Sequence, residues 1–160
     1  MEIVSDYVLI VYDLPAKAKA LRRQFLKQAH IIGAIQHTQS CYLLPYGAKA
    51  FQLANTLAAM GNAVVWKSHQ ADQKKAAEIT TSYDTHLGIR CAAIEQRLVI
   101  AQDYMAAGRL KMALRMGIKS GKMLKELAQI SETYNPGWFK EKLGTLTAEW
   151  KAVYQPKEPQ

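Results

Sequence analysis

The stretch Tyr7-Val8-Leu9-Ile10-Val11-Tyr12-Asp13-Leu14-Pro15 decides how the chain is read. Its first six residues are all aliphatic or aromatic. Such a run is too short for a lone helix and predicts a fully buried central strand. Asp13-Leu14-Pro15 ends it, because proline has no N–H to give to a sheet ladder. The period then changes. From Ala16 to Ile32, the residues Leu21, Phe25, Ala29 and Ile32 fall at i, i+4, i+8 and i+11, one face of a helix. Lys17, Arg22, Arg23 and Lys27 lie mainly off that face, and Gly33 supplies a stop.

Working outward, residues 34–44 read as extended, either a short hairpin or one bent strand, closed by Pro45-Tyr46-Gly47. A second helix is expected from Ala48 to Met60, with Phe51, Ala54, Leu57 and Ala58 inward and Gly61-Asn62 at its end. Ala63-Val64-Val65-Trp66 predicts another short strand. Strand, helix, hairpin, helix, strand is the βαββαβ grammar of a ferredoxin-like sandwich, an α+β fold. It would occupy residues 1–70. Residues 71–154 contain no strand pattern and predict an α-helical extension, with helices near 71–83, 86–107, 110–133 and 138–154. Gly108 and Asn135-Pro136-Gly137 punctuate them. Residues 155–160, Gln-Pro-Lys-Glu-Pro-Gln, read as a disordered polar tail.

Length and composition suit one small domain with an extension: 160 residues, 49% apolar and 21% charged, enough to build a core. No apolar run approaches the ~20 residues of a membrane span. Met1 to Asp6 lacks the basic and apolar regions of a secretory signal. Cys41 and Cys91 make neither a disulfide framework nor a zinc pattern, so a reduced cytoplasm is expected. Lys and Arg number 21 against 13 Asp and Glu, a net charge of +8 that suits a polyanionic partner such as DNA or RNA.

That charge clusters. Arg109, Lys111, Arg115, Lys119, Lys122 and Lys125 follow one another with no acid between Asp103 and Glu126. Lys111, Arg115, Lys119 and Lys122 are spaced 4, 4 and 3 and share one helical face. Like charges at that spacing repel, so the stripe costs helix stability unless an anion meets it. A phosphate backbone is one such anion; the plainer alternative is a solvated face opposite a core stripe. Met112, Met116 and Met123 accompany the stripe and are expected in the core. Gly117 and Gly121 predict close helix packing.

Asp13 is the single catalytic candidate. A carboxylate at the end of a central strand suits Mg²⁺, but one Asp is a poor site, so a dimer would have to present two copies. The competing reading is local, an Asp that fixes the turn before Leu14-Pro15. His30, His37, His69 and His86 show no ligand spacing, and Cys91 beside Arg90 reads as a buried helical thiol. No GxGxxG, P-loop or GxSxG occurs, so no nucleotide cofactor is expected. Tyr42, Tyr46 and Trp66 would stack bases if they stood on an open sheet face. Trp138, Phe139, Trp150 and Tyr154 are expected to pack the last helix.

The first half also resembles a known family. Tyr7 to Pro15, the helix bearing Leu21-Arg22-Arg23, Gly33-Ala34, and Ser40-Cys41-Tyr42-Leu43-Leu44-Pro45 are similar in order to the N-terminal ferredoxin-like domain of the chromate-resistance regulator ChrB. Where that family carries Val-Trp, this chain has Cys41-Tyr42. The pattern is shared with PaaX-type repressors and with small CRISPR adaptation nucleases, in which Asp13, Arg22, Gly33, Ser40 and Tyr42 have loose counterparts. The resemblance implies a homodimer acting on nucleic acid.

The leading expectation is therefore a cytoplasmic, homodimeric nucleic-acid-binding protein, a ChrB-like DNA-binding transcription regulator. Lys111, Arg115, Lys119 and Lys122 would meet phosphates, joined by Arg22, Arg23 and Lys27. The first alternative is a Mg²⁺-dependent nuclease using paired Asp13. The second is a protein-interaction module without nucleic-acid binding. No cofactor is expected outside the nuclease reading, and no membrane partner.

Overall fold

The structure is a computed structural model and describes residues 3–13, 18–59 and 63–154. Its elements are β1 (Asp6–Tyr12), α1 (Lys19–Ile31), β2 (Ile35–Thr38), β3 (Cys41–Pro45), α2 (Ala48–Ala58), β4 (Ala63–His69), α3 (Gln73–Ala106), α4 (Leu110–Ser131) and α5 (Gly137–Tyr154). The chain is α+β and mostly helical, with one antiparallel sheet of order β2-β3-β1-β4. The turn at Leu14-Pro15, the helix stop at Gly61-Asn62 and the tail at 155–160 lie outside the described residues.

The two readings left open at residues 34–44 resolve into a hairpin. β2 and β3 pair with Thr38 opposite Cys41, and the register shifts between Gln36 and Thr38. β1 is central as expected, but it is not buried on both faces. Val8, Ile10 and Tyr12 are buried, and Phe25 of α1 packs against Tyr12 at 4.6 Å and edge-on to Tyr42. On the other face only the start of β1 is covered. There the Tyr7 hydroxyl donates to the Ala76 carbonyl at 3.3 Å, and the Val4 N–H donates to Thr80 Oγ1 at 3.0 Å. Further along, Leu9 pairs with Trp66 and Val11 with Val64, and Trp66 stays 59% exposed. A continuous apolar run does not reveal that its second face is left partly open.

The chain forms two compact units, residues 1–85 with 132–134, and residues 86–131 with 135–160. In the first, Tyr134 packs edge-on to Tyr83 at 5.0 Å and donates to Asp84 at 2.7 Å, while Lys49 pairs with Glu132. In the second, Arg90 is buried and donates to Glu126 at 3.0 Å, and Lys142 pairs with Glu95.

The two helices expected at 71–83 and 86–107 are one helix, α3. Asp84 and Thr85 do not break it. The hydroxyls of Thr80, Thr81 and Thr85 donate back to the carbonyls of Ala76, Ala77 and Thr81, so their polar groups are met within the helix. Gly108 ends it at φ 69°, and Gly33 ends α1 at φ 82°, left-handed conformations that side chains resist.

Candidate nucleic-acid interface

α4 exists because its apolar residues recur at helical spacing. Ala113, Gly117, Ser120, Leu124, Leu127 and Ile130 are buried along one side. Gly117 and Gly121 are small because α5 lies on them. A methyl at Gly117 would overlap the Tyr154 ring, and one at Gly121 would stand 2.9 Å from the Trp150 ring. Both rings also hold the α4 backbone. The Trp150 indole N–H donates to the Gly117 carbonyl at 2.9 Å, and the Tyr154 hydroxyl donates to the Ala113 carbonyl at 3.0 Å. The close packing expected of the two glycines, and the packing role of Trp150 and Tyr154, are thus in place.

This packing fixes which side of α4 meets solvent. Lys111, Arg115, Lys119 and Lys122 are all exposed there, and their spacing puts them in one row. None has an ion-pair partner among the described residues. The one acid within α4, Glu126, is engaged by Arg90. The methionines stand differently from expectation: Met112 is exposed, and Met116 and Met123 are half-buried. A second row was not anticipated. Leu110, Leu114 and Ile118, at 66%, 58% and 66% exposure, run beside the cations. Their i, i+4, i+8 spacing was visible, but periodicity alone reads as core.

In the first unit, Arg22, Arg23 and Lys27 are exposed on α1; Arg23 and Lys27 point away from Phe25 and Ala29, whereas Arg22 lies on their side of the helix, near Tyr42. The aromatic trio divides. Tyr42 is buried beneath α1, Tyr46 holds the Lys67 ammonium 4.2 Å over its ring, and Trp66 alone stands on the open sheet face. Tyr42 therefore has no face to offer a base, because β3 turns it toward the helices.

Asp13 is exposed just past β1. Among the described residues, no group of three or more His, Cys, Asp or Glu side chains converges on a point where a metal would sit. Within one chain Asp13 is a single exposed carboxylate, so a Mg²⁺ site would need the second copy from a partner chain. Cys91 is buried, and burial pushes its thiol up; Lys142 opposes this, Glu95 adds to it and Arg90 opposes it. The half-buried Cys41 thiol is also pushed up by burial. Neither is an activated nucleophile. Among the described residues no helix is long and apolar enough to cross a membrane. The chain matches no known family, no curated protein and no solved structure.

Proposed function

We propose that the protein binds nucleic acid through its phosphate backbone, along the exposed face of α4. The observation that carries this reading is the row Lys111, Arg115, Lys119 and Lys122, four cations with no ion-pair partner among the described residues. From first to last the row spans about 16 Å at the helical rise, long enough to meet several phosphates of one strand. Held together without an anion the four charges repel. Against a polyanion each contact releases counterions. Arg22, Arg23 and Lys27 on α1 form a second basic surface for the same partner.

At finer grain, the reading is of a homodimeric DNA-binding regulator of the ChrB kind, built on a ferredoxin-like domain. The element order β1 α1 β2 β3 α2 β4 and the sheet order β2-β3-β1-β4 support that fold assignment. Phosphate contacts position a protein without reading sequence, so regulation would need base contacts in addition.

The test is fluorescence anisotropy of labelled duplex DNA and single-stranded RNA across a salt series. Four phosphate contacts on a duplex give a log–log salt slope of about −3.6. Lys119→Ala should weaken binding to every sequence alike and flatten the slope by about one. Unchanged affinity and slope in a folded Lys119→Ala variant would remove α4 from the interface.

A further inference from the structure

The second unit holds a cleft between α4 and α5 of about 490 Å³. That volume lies within the roughly 300–1,000 Å³ of small-molecule sites. Its floor is apolar, formed by Leu124 and Trp150, with Ile118 at its edge. Its rim carries Lys122, Lys125 and Lys151, and no acid lines it. None of the three lysines has an ion-pair partner among the described residues. Trp150 already spends its indole N–H on the Gly117 carbonyl, so it offers the cleft only its ring.

We propose that this cleft binds an amphipathic monoanion, a free aliphatic carboxylate with its chain on the floor and its head among the lysines. The chemistry of the walls selects the occupant. An apolar floor gives a neutral polar ligand nothing to bond, and gives a base edge nothing to read. The lysine rim repels the same surface of a second copy and a cationic amphiphile, but neutralises a carboxylate. Leu110, Leu114 and Ile118 run along α4 to the cleft mouth, so a longer chain has apolar surface to follow. The site goes beyond phosphate binding. Lys122 serves both, yet the test below contains no nucleic acid, so either reading can fail alone.

The full-length chain, labelled with ¹⁵N, is titrated with monomeric dodecanoate, and in parallel with dodecyltrimethylammonium and butyrate. Saturable dodecanoate shifts at Leu124, Lys151 and the Trp150 indole are expected. Dodecyltrimethylammonium should bind about tenfold or more weakly, since it keeps the chain and reverses the head. Butyrate should not saturate. Lys125→Gln with Lys151→Gln, both exposed and free to change without unfolding the chain, should weaken dodecanoate about fivefold to tenfold. Equal affinity for both heads, shifts centred on Trp66 of the sheet, or association only with anionic lipid vesicles would each overturn the proposal.

Discussion

Arg90 is a buried guanidinium on α3, with Glu126 of α4 at 3.0 Å. A buried ion pair adds little net stability over an apolar pair, but removing one partner strands the other charge. Arg90→Met should therefore cost about 3–5 kcal/mol by stranding Glu126, while changing both residues to apolar ones should recover much of the loss. Urea denaturation of the single and the double variant checks this. A single-variant loss within experimental error of zero would mean that the pair is solvated in practice. The contrast with Lys49 and Glu132 is instructive, because both of those side chains are about half exposed. Breaking that pair should cost about 0–1 kcal/mol.

Helical glycines separate packing from propensity. Gly88 sits inside α3 with nothing within 4 Å of where a methyl would go. Gly88→Ala should stabilise the protein by about 0.5–1 kcal/mol, because glycine loses the most backbone freedom on folding. Gly117→Ala should do the opposite, by about 1–3 kcal/mol, as the methyl displaces the Tyr154 ring from α4. The two urea midpoints should move in opposite directions; movement in the same direction would show that α5 does not hold α4 as described. The same pair shows what a sequence reveals about elements. Glycines at helix ends were legible: Gly33 and Gly108 adopt the positive φ their positions suggested. Continuity through Asp84 and Thr85 was not, because the polar stretch there reads as a break although its threonine hydroxyls are met by carbonyls of the same helix. The basic row was legible from spacing within one helix. The cleft was not, because its floor joins Leu124 to Trp150 across two helices. Tyr42 and Trp66 looked alike as strand aromatics, and only the sheet's helix-covered face tells them apart.

At the scale of the molecule, five acidic groups among the described residues shift the same way. Burial raises the thiols of Cys41 and Cys91, and the phenols of Tyr7, Tyr42 and Tyr154. Each is held protonated more tightly in the folded chain than in the unfolded one. Below the unfolded values, about 8.5 for cysteine and 10 for tyrosine, both states keep the proton and the full stability is present. As pH rises past those values the unfolded chain ionises first, and stability falls until the folded groups titrate too. A window of about pH 8–9.5 therefore isolates the thiols. Urea midpoints should decline through it, and Cys91→Ala should show a shallower decline from its own lower starting stability. Thiolate absorbance should rise later in the native chain than in denaturant. A midpoint that holds or climbs across the window would mean that Cys91 is not buried as its position in α3 requires.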